Sequence, residues 1–311
     1  MKKCILFLGI LSAFSLPTAA SHPARDALIF GTVSTVAAAV IVTGIPYLTE
    51  RIKTFAARTS AAAPETEEWA GPLPVEIEQL CDFQKRHSYY RKFNLKPGHG
   101  YLFYGPPGTG KTLLAETVAK KLKIPLVRDV SGNFLSRWQG SGTTHLQELL
   151  ERAHRCPQPK RGYFKCVLFI DEIDGICCRE EQFNREELRL AEQLLADITD
   201  PRNEHILFIG ATNLIKSVDP AFLRPGRLTA LFVGHPNKEM RQALFAACFK
   251  KHKLPLEQLD PSSYARKTHG FSCAAIRQAV EQALYHHLKN PPQAYAAYLD
   301  QALEPYSEDI L

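Results

Sequence analysis

The stretch YLFYGPPGTGKT (residues 101–112) decides how the rest of the chain is read. Four residues suited to a buried strand run into three glycines, two prolines, a lysine and two threonines. Gly105, Gly110, Lys111 and Thr112 satisfy G-x-x-x-x-G-K-[ST], and LLAETVAKKL (residues 113–122) continues as an amphipathic helix. In this pattern glycines let the backbone wrap so that its N–H groups point at phosphate. The lysine reaches the β- and γ-phosphates, the hydroxyl ligates magnesium, and the helix N-terminus adds its dipole. By average composition the bare pattern arises by accident in on the order of one chain in a hundred. The flanking strand and helix lower that further. The run Gly105, Pro106, Pro107, Gly108, Thr109, Gly110, Lys111, Thr112 and Leu113 is therefore the predicted cradle for a phosphate ligand.

A cradle binds, and hydrolysis needs more. VLFIDEID (residues 167–174) is an apolar strand ending in Asp171 and Glu172. An aspartate at the carboxyl end of a sheet strand can hold the shell of a magnesium ion through water, and the next residue can polarise an attacking water. FIGATN (208–213) ends a further strand in Asn213, whose amide can orient that water. In DPAFLRPGR (219–227) two arginines, Arg224 and Arg227, flank a rigid Pro-Gly turn with no acidic neighbour in sequence. Unpaired arginines there suit a triphosphate held by a neighbouring subunit.

Helical stretches at 75–93, 111–123, 144–156 and 187–199 alternate with short apolar runs at 101–104, 125–130, 165–170, 205–210 and 231–234. That alternation predicts an α/β fold, a parallel sheet covered on both faces. After Pro236 the strand signals stop, and helices at 238–251, 274–289 and 292–302 predict a small helical lid. The expected boundaries are a large α/β domain at 74–235 and a helical domain at 236–311.

GPPGTGKT, LFIDEID, ATN, LRPGR and GFS (270–272), in this order and spacing, resemble the AAA subfamily of the AAA+ P-loop ATPases. The resemblance covers roughly residues 74–289. It implies ATP with Mg2+, a homo-hexameric ring with nucleotide between subunits, and a protein substrate. Asn213 would match the sensor of the γ-phosphate, and Arg224 and Arg227 would act across the interface. FLSRWQGSG (134–142) aligns with the family's first pore loop, so Arg137 and Trp138 are expected to grip a threaded polypeptide. Three places depart from the family pattern: Leu228-Thr229-Ala230 follows the arginine turn, Thr199-Asp200-Pro201 replaces a subunit-relay element, and Cys273 and Ala275 alter the lid segment GFSCAAI. The first two bear on coupling between subunits and not on the phosphate chemistry, and the third on the lid segment that the resemblance places beside the adenine.

The amino-terminal part predicts a membrane location. Residues 1–20 carry Lys2 and Lys3, an apolar run and a small-residue end, the pattern of a signal peptide or a short membrane helix. Residues 27–48 are 22 residues without a charge, about 33 Å as a helix, enough to span the hydrocarbon core. Arg51, Lys53 and Arg58 follow this span, which predicts that everything after it lies on the cytoplasmic side. Residues 49–73 read as a linker rich in Ala, Pro, Thr and Glu.

The formal net charge is +6, with both signs interspersed, so no basic stripe for nucleic acid is expected. The eight cysteines contain no C-x-x-C pair and read as reduced thiols. Membrane-bound AAA proteases carry H-E-x-x-H, and no His-Glu pair occurs in this chain, so any proteolysis is expected to fall to another chain. Two functions remain open from sequence. One is a membrane-anchored ATP-driven unfoldase or remodeller, and the other an ATP-gated scaffold with little turnover.

Overall fold

The computed structural model describes residues 69–134, 141–178, 185–254, 259–289 and 294–304. The expected membrane segments at 1–20 and 27–48, most of the linker, and Arg137 and Trp138 lie outside the described residues. Among the described residues no helix is long and apolar enough to cross a membrane.

Helix α1 (Val75–Tyr90) leads by a short 3₁₀ turn into strand β1 (Gly100–Tyr104). Then come α2 (Lys111–Leu122), β2 (Leu126–Val130), α3 (Ser141–Arg155), β3 (Cys166–Asp171), the one-turn α4 (Asp174–Cys177), α5 (Arg185–Thr199), β4 (Ile206–Thr212) and β5 (Thr229–Phe232). The five strands form one sheet in the order β2-β3-β4-β1-β5, and every pairing is parallel. Both faces are buried, as a parallel sheet requires. Side chains alternate along each strand: Tyr101, Phe103, Val167, Phe169, Leu207 and Ile209 pack with α1 and α2, while Leu102, Leu168, Ile170, Ile206 and Phe208 pack with α3 and α5.

Strand β5 begins two residues earlier than the sequence predicts, at Thr229 rather than 231. It is a sheet edge on which Thr229, Ala230 and Phe232 are exposed, so its start carries no apolar run to read. The other three helices of the prediction return as α6 (Lys238–Lys251), α8 (Cys273–Lys289) and α9 (Tyr295–Leu303). A fourth, α7 (Pro261–Lys267), was absent from the sequence reading. Its signal was present: Asp260 caps the backbone N–H groups of Ser262 and Ser263, with Pro261 in the first turn. These helices bury a core of their own around Phe245, Phe249, Ile276, Val280 and Leu299.

The seven cysteines among the described residues are free thiols. Burial lifts the Cys166 thiol to about 12, and these groups act as apolar filling.

Helix α1 is pinned to the sheet by one buried amide. Gln84, 5% exposed, donates from Nε2 to the Phe164 carbonyl at 3.0 Å and accepts at Oε1 from the backbone N–H groups of Tyr163 (2.8 Å) and Phe164 (2.9 Å). Gln84→Leu keeps the volume and strands three backbone groups, so unfolding in denaturant should show a loss of about 2–4 kcal/mol. An unchanged midpoint would show that water reaches those groups.

Candidate nucleotide site

The carboxyl ends of β3, β4 and β1 lie side by side in the sheet, and the loops leaving them converge, the usual place for a ligand in an open α/β sheet. The loop after β1 is the glycine-rich run. Gly105 sits at φ +151°, and a Cβ there would lie 2.2 Å from the Val233 carbonyl oxygen. Gly108, at φ +73°, would drive a Cβ to 2.9 Å from the Ala274 Cβ. Only glycine meets both demands. Pro106 and Pro107 stiffen the turn between them, and Thr109 is buried with its hydroxyl donating to the Pro106 carbonyl at 3.0 Å. Gly110 ends the loop in the left-handed region, with no side-chain cap on the helix that starts at Lys111. The first N–H groups of α2 therefore face the loop, together with the positive end of the helix dipole.

Lys111 is 8% exposed, and its ammonium donates to the carbonyls of Gly105 (2.9 Å) and Pro106 (2.8 Å). Burial lowers its pKa below the ordinary lysine value, and the Asp171 carboxylate acts in the opposite sense. One residue on, the Thr112 hydroxyl donates to Asp171 Oδ2 at 2.8 Å across the gap between α2 and β3. A hydroxyl and a carboxylate paired at the end of the phosphate loop are hard oxygen donors of the sort magnesium takes alongside phosphate and water. The residues present fit that ion. Leu113 follows, half-buried on α2.

Glu172 is exposed, next to Asp171, with φ +53°, a conformation rare for a residue with a Cβ. Asn213 is exposed just past the end of β4, beside the Tyr104–Thr212 pairing that closes β1 on β4. The structure thus brings together the loop at 105–113, Asp171, Glu172 and Asn213.

It does not bring Arg224 and Arg227 there. Their turn follows a 3₁₀ segment, Pro220–Leu223, capped by Asp219, and Arg227 donates to the Ala221 carbonyl. The turn packs on the opposite end of β1: a Cβ on Gly100 would lie 2.5 Å from the Arg227 carbonyl oxygen. At about 3.3 Å per residue, β1 separates the turn from the phosphate loop by on the order of 13 Å. Neither arginine has a carboxylate partner among the described residues.

Sequence reasoning missed one wall of this site and marked another. Trp69, placed in the linker, packs with Leu73 against the core of α1 and α2, and its ring lies 3.3 Å from where a Cβ on Gly110 would be. The lid reaches the phosphate loop directly, the Ala274 N–H donating to the Gly108 carbonyl at 3.0 Å. The GFS pattern pointed to that segment, whereas nothing local marks Trp69.

Residues 101–234 match the family described as "ATPase family associated with various cellular activities (AAA)". Residues 101–234 are an AAA ATPase domain. Around this domain the chain is 35% identical over 225 residues to a proteasome-activating nucleotidase of Archaeoglobus fulgidus, covering 68% of this chain and 54% of the relative. It is 33% identical over 233 residues to the ATP-dependent zinc metalloprotease FtsH 2 of Thermoanaerobacter sp., covering 74% of this chain and 44% of the relative. The cell division cycle protein 48 homolog of Archaeoglobus fulgidus is 33% identical over 198 residues, 62% of this chain and 26% of that one. The chain thus spans about half or less of the relatives it matches.

The AAA domain's phosphate loop depends on the bare backbone of Gly105. Gly105→Ala should weaken ATP binding at least tenfold by titration calorimetry, with the far-ultraviolet circular dichroism unchanged. Wild-type affinity would show that Val233 yields to the added methyl.

Proposed function

We propose that this chain hydrolyses ATP as a homo-hexameric ring and uses the energy to unfold, extract or remodel protein substrates at the cytoplasmic face of a membrane. The observation that carries this reading is the placement of the site's two halves at opposite ends of β1. The phosphate loop, Thr112, Asp171, Glu172 and Asn213 stand at one end, and the turn bearing Arg224 and Arg227 packs on the other. An arginine that cannot reach its own phosphate loop is useful to a copy beside it, and a repeated head-to-tail contact makes a ring when its rotation closes.

In this reading the N–H groups at 105–113 and the Lys111 ammonium bind the phosphates. Lys111 leaves the Gly105 and Pro106 carbonyls for the phosphate oxygens, an exchange favoured by the charge of the ligand. Thr112 and Asp171, the latter through water, would hold Mg2+. The ion, when bound, neutralises phosphate charge. Glu172 accepts the proton of the attacking water, Asn213 holds that water in line, and Arg224 and Arg227 of a neighbouring copy stabilise the charge on the transferred phosphoryl group. Arg137 and Trp138 grip the polypeptide, and the span at 27–48 supplies the anchor. The relatives named for proteasome activation and for ATP-dependent proteolysis support a protein substrate.

A mixing experiment tests the shared site. Lys111→Ala and Arg227→Ala should each lower ATP turnover, the arginine variant by about 10³-fold or more. Mixed in equal amounts, they should recover part of it, because an intact loop then meets an intact arginine. Wild-type turnover in Arg227→Ala would overturn the ring reading. Tight ATP binding with no turnover in the wild type would favour an ATP-gated scaffold.

A further inference from the structure

We propose that Asp174, together with Thr212, is the positioning device that sets Glu172 and Asn213 against each other for hydrolysis. The inference rests on the ATPase reading above and concerns two residues which that reading leaves without a task.

Glu172 and Asn213 leave the sheet on adjacent strands, each just past the last residue of its strand. Among the described residues neither is held by its own side chain: both are exposed, and Glu172 occupies a left-handed conformation that is strained for a residue with a Cβ. Such a conformation persists where its surroundings fix it, and here they can be named. The Ile173 N–H donates to the Ala211 carbonyl at 2.9 Å, carrying the β3–β4 connection past the regular ladder. Ile173 itself lies over Gly210, where a Cβ would come within 2.8 Å of its Cδ1.

The side chains complete the clamp. Thr212 is 2% exposed, and its hydroxyl donates to Asp174 Oδ1 at 2.6 Å while accepting from the Leu214 N–H at 2.8 Å. One hydroxyl therefore joins the segment after Glu172 to the turn that carries Asn213. Asp174 lies two residues after Glu172, and Thr212 immediately before Asn213. An error of about 1 Å in the separation of a general base and a water-orienting amide is enough to lower a rate about a hundredfold. The Asp174–Thr212 bond restrains that separation.

The test reads turnover and nucleotide affinity separately. Thr212→Val keeps the shape and removes the hydroxyl, and should lower kcat at least tenfold while KM for ATP and the Kd for the non-hydrolysable analogue AMP-PNP stay within twofold. Thr212→Ser keeps the hydroxyl and should remain within threefold of wild type. Asp174→Ala should match Thr212→Val, and the double variant should be no worse than either single one, because both remove the same bond. Wild-type kcat in Thr212→Val would overturn the proposal, as would parallel losses of kcat, AMP-PNP affinity and melting temperature in that variant. Absence of turnover in the wild type would overturn this inference and the ATPase reading together, whereas equal turnover across the series overturns this inference alone.

Discussion

The pairing of β1 with β4, Tyr104 beside Thr212, is the constraint on which the rest of the structure depends. It brings the glycine-rich loop next to the strand that ends in Asn213. Pairing of β3 on the other side of β4 adds Asp171 and Glu172. A one-residue slip in either ladder would turn Phe103, Phe169 or Ile209 to the wrong face of the sheet, so the two hydrophobic layers hold the register that the site needs. Core and chemistry are in this sense one requirement. The side chains that alternate across β1, β3 and β4 are the reason three loops from distant parts of the chain meet.

What was legible in the sequence follows from how far apart the interacting groups lie along the chain. The phosphate loop is a local object: its glycines, Lys111 and Thr112 are contiguous, and their pattern states what the backbone must do. The sheet was legible because a strand buried on both faces is a continuous apolar run, as in VLFI. Strand β5 was misplaced at its start because it lies at the edge and mixes exposed and buried positions. The short helix α7 was passed over because seven residues give too little periodicity, although its Asp-Pro cap could have been read. Trp69 looked like linker because its neighbours are Glu, Ala, Gly and Pro, and only the folded chain sets it beside Gly110, forty-one positions away. The Gln84 clamp and the Asp174–Thr212 bond have no sequence signature, since each joins residues far apart in the chain.

The lid is held in two ways that differ in consequence. Its own core is apolar, centred on Phe245 and Phe249. Its attachment to the phosphate loop is slight by comparison, the Ala274 N–H on the Gly108 carbonyl with Ser272 and Ala274 against Gly108. The segment before α1 touches the lid as well, Ala70 against its core and Gly71 beside Met240, so the phosphate loop is not its sole support. Lys111 is tied to the Gly105 and Pro106 carbonyls, so any exchange of its partners is felt within two residues of the lid contact.

The same economy joins the two ends of the sheet. Helix α4, a single turn, begins at Asp174 beside the Glu172 site and ends at Cys177, whose carbonyl accepts from the Asp219 N–H at 2.7 Å. Cys178 extends the contact by an antiparallel bridge to Val218. Asp219 in turn caps the 3₁₀ segment that leads to Arg224 and Arg227. Between the glutamate that would act on this copy's nucleotide and the arginines that would act on another's there is thus one helical turn, buried through Ile176 and Cys177. The Cys177–Asp219 bond and the Cys178–Val218 bridge thereby tie the segment after Glu172 to the arginine turn. The altered residues after that turn, Leu228-Thr229-Ala230, lie beyond this link, so the departure from the family pattern leaves the connection itself intact.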